Sequence, residues 1–237
     1  SAPTAAPKPT VEPERIAVVL GTSGSTGRPK GVRLSFRALE AAAAASAANL
    51  GWERGDRWLL SIPAAHVGGL SIVTRCLLGG GTVALPDALR AGFRPAAFSA
   101  DVEATGATLV SLVPTMLRRL LDDASFAWPP RVRAALIGGA HAPPALLADA
   151  WDRGWPVLAT YGLTEAAAQV ATQRRGEPPA ETGAVGPPLP GVEVRICAGR
   201  IQLRGDTLFS GYEPASNAFE VDGWFDTGDF GRWDARG

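Results

Sequence analysis

The chain has 237 residues, 46% of them hydrophobic, enough to bury the core of one domain with a smaller lobe beside it. Its 23 basic and 23 acidic side chains cancel, and no basic run or stripe of aromatic and basic residues appears, which argues against nucleic acid as a partner. Two cysteines, Cys76 and Cys197, do not make a disulfide framework; they suit a reducing cytoplasm, the expected location. Residues 1–13 do not resemble a signal peptide. The most apolar region, residues 58–85, is interrupted by Pro63, His66 and Arg75 and falls short of the roughly 20 clean apolar residues of a membrane span.

Residues 1–15 read as a Pro-rich linker, because Pro3, Pro7, Pro9 and Pro13 prevent regular structure. The short β-branched run 16–20 has the pattern of a strand buried on both faces. Ser35 can cap a helix through the alanine-rich stretch to about residue 49. A strand at 57–62, a helix at 70–78 and a strand at 82–85 follow. Helices at 95–105 and 114–122 flank a strand at 108–112. Then come a strand at 134–137, a helix at 143–153 with proline in its first turn, and a strand at 157–160. Strands alternating with helices predict an α/β fold, a mostly parallel sheet flanked by helices, over residues 16–183. The texture changes after Gly183. Residues 192–196 and 200–204 alternate apolar with polar around Ala198-Gly199, a hairpin signature, so residues 184–237 read as a smaller β-rich lobe.

The most informative segment is GTSGSTGRPKG, residues 21–31, directly after the first strand. Its glycines, Gly24 and Gly27 among them, let the backbone curl around an anion and turn its N–H groups inward. Thr22, Ser23, Ser25 and Thr26 add hydroxyls, and Lys30 adds a positive charge, a composition suited to nucleotide phosphates. It is not a Walker loop: Arg28-Pro29 precedes Lys30, and a strand-like stretch, 32–34, follows where a helix would begin. Taken alone, such a loop could equally be a surface turn.

GTSGSTGRPKG resembles the signature loop of the adenylate-forming acyl-CoA synthetase superfamily, the AMP-binding enzymes. Further segments occur in that family's order: Pro63-Ala-Ala-His66, Gly138-Gly139-Ala140, Tyr161-Gly162-Leu-Thr-Glu165, Gly183-Ala-Val-Gly186 and Trp224-Phe-Asp-Thr-Gly-Asp229. The resemblance covers residues 16–237 and implies a ligase that uses ATP and Mg²⁺ to turn a carboxylic acid into an acyl-adenylate, then a thioester with coenzyme A as co-substrate. It implies that Tyr161 stacks on adenine, although a tyrosine there could also be core. Gly138, Gly139, Ala140 and Gly162 would allow close approach of the nucleotide to the backbone. Thr164 would bond the α-phosphate, Glu165 would ligate Mg²⁺, a hard cation that prefers oxygen, and Asp229 would accept from the ribose hydroxyls. For Lys30, direct phosphate contact and a structural role stay open. The chemistry is in-line attack of a carboxylate on the α-phosphate, so the protein positions anions and neutralises charge. With only His66 and His141 present, no Ser-His-Asp or Cys-His nucleophile is evident, and none is required.

The stretch around His66, residues 111–117, and Gly186-Pro-Pro-Leu-Pro-Gly191 are most similar to the 2-succinylbenzoate–CoA ligase subfamily of menaquinone biosynthesis. The resemblance places His66 at the acyl pocket and the CoA route, and offers Ser71, Arg75 and Thr115 as substrate contacts. Arg75 would meet the second carboxylate; a surface arginine is the other reading. Other acyl- or aryl-CoA ligases, a carrier-protein-linked adenylation module and a non-catalytic nucleotide-binding fragment are the alternatives. Members of the family carry further residues before the loop and a catalytic-lysine domain after the position of Asp229, both absent from the 237 residues. The chain is therefore expected to bind nucleotide but to turn over poorly alone. The partners expected are small molecules, with room for a homo-oligomer.

Overall fold

The computed structural model describes residues 11–22, 30–214, 218–220 and 222–235. Ser23, Gly24, Ser25, Thr26, Gly27 and Arg28 of the phosphate-loop motif, and residues 1–10 of the lead-in, lie outside the described residues.

The first two strands, β1 (Ile16–Thr22) and β2 (Lys30–Ser35), are antiparallel neighbours, with Thr22 opposite Lys30. The expectation of a strand buried on both faces is corrected here. β1 is an edge strand, Leu20 is buried, and Val19 is 50% exposed, so it reads as a half-buried antiparallel strand. Ser35 ends β2 and accepts the Ala38 N–H at 3.2 Å, capping α1 (Phe36–Leu50) as its residue type predicts. The alanines let α1 lie close to its neighbours, and Gly51 closes it in the left-handed conformation.

Next come β3 (Arg57–Leu59), α2 (Val67–Gly79), β4 (Thr82–Ala84), α3 (Pro95–Thr105), β5 (Leu109–Leu112), α4 (Pro114–Asp122), β6 (Ala134–Ile137), α5 (Pro144–Asp152), β7 (Val157–Leu163) and β8 (Ala168–Thr172). α3, α4 and α5 each begin at a proline, whose fixed φ and missing N–H suit the first turn. The strands form one sheet in the order β4-β3-β5-β6-β7-β8, parallel except for the antiparallel β7–β8 pair. Side-chain alternation sorts the two faces. Val110 and Leu112 pack with Phe98 of α3, Leu117 of α4 and Leu147 of α5. Leu109, Ala134, Leu136 and Trp58 face the other way, against Leu50 of α1 and Ile72 of α2.

The hairpin read around Ala198-Gly199 is present as β9 (Glu193–Cys197) and β10 (Arg200–Arg204), joined by β12 (Phe225–Phe230) in the order β12-β10-β9. Between β10 and β12, β11 (Tyr212–Glu213) crosses over to pair with β2, placing Tyr212 opposite Val32. Among the described residues both cysteines are free, Cys76 buried and Cys197 exposed, and no helix is long and apolar enough to cross a membrane.

Candidate active site

The carboxyl ends of the parallel strands are where open α/β sheets place their ligands. Here β6 runs into Gly138-Gly139-Ala140, and β7 carries Tyr161-Gly162 just before its end at Leu163. A cavity of about 630 Å³ opens at this edge. Gly139, Ala140, Tyr161, Gly162 and Gly186 line it, and Asp229 closes it from β12. Its walls approach without side chains for a steric reason. A Cβ on Gly162 would collide with the Ala168 carbonyl across a register shift between Tyr161 and Gly162, and one on Gly186 with the Gln173 backbone. Gly138 lies just outside the cavity lining; a Cβ there would meet Thr160 Cγ2 at 2.6 Å. His141, Phe230 and Trp233 also line the cavity, and no pattern in the sequence marks them out.

Tyr161 and Asp229 meet directly. The tyrosine hydroxyl donates to Asp229 Oδ2 at 2.6 Å. Burial raises the Tyr161 pKa above its ordinary value, and the bond to the carboxylate adds to the rise, so the phenol stays a donor. The ring therefore stands beside the acid expected to hold a ribose.

A second acid lies outside that cavity lining. Thr164 and Glu165 sit in a 3₁₀ turn (Thr164–Ala166) that is followed by Ala167 and Ala168, with φ of 50° and 103°. Side chains rarely adopt such backbone, and it clusters where geometry is functional. Glu165 Oε1 accepts the Tyr212 hydroxyl at 2.9 Å, while its carbonyl accepts the Phe209 N–H at 2.8 Å. Lys30 Nζ stands 5.0 Å from the centre of the Tyr212 ring, a cation–π contact. Thr22 donates to the Lys30 carbonyl at 3.4 Å, so the ends of the loop motif are held on adjacent strands. Tyr212 is the residue that sequence reasoning missed. The chain has only two tyrosines, and each donates to a candidate acid of the site, so their scarcity was the available signal.

The third group is set on and around α2. His66 is exposed at the N-cap without capping through its side chain. One turn on, Gly69 packs against the Ile62 and Pro63 carbonyls, where no Cβ fits. Ser71 and Arg75, four apart, share the buried face, each 4% exposed. The surface reading of Arg75 is thus corrected. Its guanidinium lies 5.2 Å from the Trp58 ring centre and its Nε is buried without a partner. Burial pulls the guanidinium pKa down to about 9, and Arg75 is not part of the cavity lining that Tyr161 and Asp229 share. Ser71 is occupied locally, donating to the Gly68 carbonyl at 2.8 Å. Thr115 is exposed in the first turn of α4.

The residues present fit Mg²⁺ carried by a nucleotide. No group of three His, Cys, Asp or Glu side chains that could hold a metal occurs among the described residues, and Mg²⁺ characteristically takes one or two carboxylates plus substrate phosphates. Glu165 is the carboxylate expected to fill that role.

A parallel sheet with a glycine-walled cavity at its carboxyl edge, and no Walker loop, defines the class: the chain belongs to the AMP-binding enzyme family, whose model matches residues 1–213. Its relatives are more particular. It is 36% identical over 235 residues to a 2-succinylbenzoate–CoA ligase of Bacillus pumilus, covering 93% of this chain and 47% of the relative. Among solved structures it is similar to o-succinylbenzoate CoA synthetase from Bacillus subtilis with the acyl-adenylate intermediate OSB-AMP, at TM-score 0.85 and 32% identity, covering 95% of this chain and 48% of that one. The same enzyme with ATP and magnesium ion matches at TM-score 0.83 and 32% identity, over 99% and 52%. The chain spans about half the length of these relatives.

Proposed function

We propose that this chain carries the nucleotide- and acyl-binding core of an AMP-forming acid–thiol ligase that converts 2-succinylbenzoate to 2-succinylbenzoyl-CoA. The observation that carries the reading is the convergence of Tyr161, Asp229 and the glycines Gly139, Gly162 and Gly186 on one cavity at the carboxyl edge of the sheet. In this reading residues 16–183 supply the core, and the β-rich segment 184–237 supplies Asp229 and Tyr212.

The nucleoside half of ATP lies along Gly139, Ala140 and Gly162, with Tyr161 against the base and Asp229 accepting from the ribose. Thr164 donates to the α-phosphate. Glu165, held by Tyr212, would ligate Mg²⁺, which when bound neutralises charge on the phosphates. A carboxylate oxygen of the acid attacks the α-phosphorus in line, the bond to pyrophosphate breaks, and the acyl-adenylate then passes its acyl group to the thiol of CoA. Arg75 supports the choice of acid. 2-Succinylbenzoate has two carboxylates, and a buried guanidinium with an unpartnered Nε suits the one not activated. His66 borders the acyl group and the CoA approach. The free cysteines support a cytoplasmic location.

The test is twofold. Calorimetric titration with ATP should show binding that strengthens with Mg²⁺, and pyrophosphate release should be far faster with 2-succinylbenzoate than with octanoate. Equal turnover of the two acids would defeat the substrate assignment, and no heat with ATP would defeat the site.

A further inference from the structure

The strand that carries Asp229 does not pair evenly with its neighbour. Arg200 faces Phe230 and Gln202 faces Asp226, so a step of two residues along β10 is matched by four along β12. Residues 227–229 therefore bulge from the ladder, and a bulge re-aims a side chain. Within it the Gly228 N–H donates to Asp226 Oδ1 at 2.9 Å, the Asp229 N–H to Thr227 Oγ1 at 3.1 Å, and the Thr227 hydroxyl to the Ile201 carbonyl at 2.9 Å. Gly228 has φ of 87°, which favours glycine at the apex.

One side chain spans this bulge. Arg200 Nε donates to Asp226 Oδ1 at 3.1 Å and Oδ2 at 2.8 Å on one flank. On the other, its guanidinium lies 5.7 Å from the Phe230 ring centre. Neither Arg200 nor Asp226 lines the cavity; their neighbours do, Ile201 on β10 and Asp229 and Phe230 on β12, so an influence on a ligand passes through these.

We propose that Arg200, paired with Asp226, is a positioning residue for the ribose-binding carboxylate: by holding both flanks of the bulge it fixes the direction in which Asp229 leaves the strand. The proposal rests on the reading of Asp229 as the ribose acceptor. Loss of the guanidinium removes the charge-assisted partner of Asp226, frees the Asp226–Gly228 contact and lets Asp229 turn from the cavity.

Calorimetric binding of ATP and of 2′,3′-dideoxy-ATP, which lacks both ribose hydroxyls, tests it. The unaltered chain should prefer ATP about tenfold, the scale of a charge-assisted hydrogen bond. Asp229→Asn should abolish the preference; if it does not, the ribose reading fails and the proposal with it. Arg200→Gln should reduce the preference to about twofold by weakening ATP alone, with Asp226→Asn matching it and Arg200→Lys restoring part. A merely structural role would weaken both nucleotides alike. That outcome, or an unchanged ratio in Arg200→Gln beside a lost one in Asp229→Asn, overturns the proposal while leaving the ribose reading standing. If Arg200→Gln folds poorly, Asp226→Asn and Arg200→Lys carry the same comparison. A chain that binds neither nucleotide removes the ribose reading and the proposal together.

Discussion

The two ends of the parallel strands are built on opposite rules. At the amino end, Asp56 is almost wholly buried and fully engaged. It accepts from Thr108 Oγ1 at 2.7 Å, from the Glu53 N–H at 2.8 Å, and from Nε at 2.9 Å and Nη2 of Arg133. Arg133 also donates from Nη1 to the Leu50 carbonyl at 3.1 Å and from Nη2 to the Gly51 carbonyl at 2.9 Å. This knot ties the approaches to β3, β5 and β6 to the end of α1. At the carboxyl end part of the cavity wall is glycine backbone, and the two candidate acids are each held by one tyrosine. Charge is consumed where the fold is fastened and kept available where a ligand would come.

That contrast predicts where a substitution is felt. Arg133→Met leaves Asp56 buried without its partner and should cost about 3–5 kcal/mol. In a domain of this size, that is a loss of roughly 10 °C in melting temperature. Calorimetric melting should show it, while the ATP affinity of the folded protein changes little. If affinity falls in step with stability, the two ends are not separable. Tyr212→Phe works the other way. It removes the donor to Glu165 and should lower Mg²⁺-dependent ATP affinity about tenfold, on the scale of a hydrogen bond to a charged group, with the melting point nearly unmoved. An unchanged Mg²⁺ dependence would show that Glu165 needs no support from Tyr212.

The smallest effect is in pH. Burial raises the Asp56 pKa, but Arg133, the Glu53 N–H and Thr108 outweigh it, so the folded value lies below the ordinary 3.8. The stability it brings is complete above 3.8 and drains as pH falls through the lower folded value. Tyr161 is displaced upward from 10.0, by burial first and then Asp229, so its contribution is complete below pH 10 and drains as pH rises beyond it. Asp56→Asn should therefore flatten the acid limb of a stability curve and Tyr161→Phe the alkaline limb. Exchange of those two outcomes would refute the assignment.

Sequence disclosed whatever is local. Ser35 caps because its hydroxyl reaches three residues on; Pro95 and Pro114 open helices at the expected residues; Ala198-Gly199 turns a hairpin. β8 was not legible, since AQVAT is alanine-rich and becomes a strand through its antiparallel seat beside β7. β12 was not either: FDTGDF carries two aspartates and a glycine, all depleted in strands, and takes its shape from pairing with β10. β1 has an apolar run that two-sided burial and an edge position both explain. In the candidate site, Tyr161, Gly162, Glu165 and Asp229 stand in contiguous motifs. Tyr212 and Arg200 act through partners distant in the chain, and no local pattern announces such pairs.

The crossing of β11 back to β2 has a temporal side. On a ribosome, a nascent chain released only as far as β8 already has its main sheet in hand, yet Lys30 has no ring beneath it and Glu165 no phenol. Both contacts must await the segment around Tyr212, which is synthesised after all six strands of the main sheet. The last strand to reach the first sheet thus ties the amino-terminal strand pair to the turn after β7 only once the main sheet is complete.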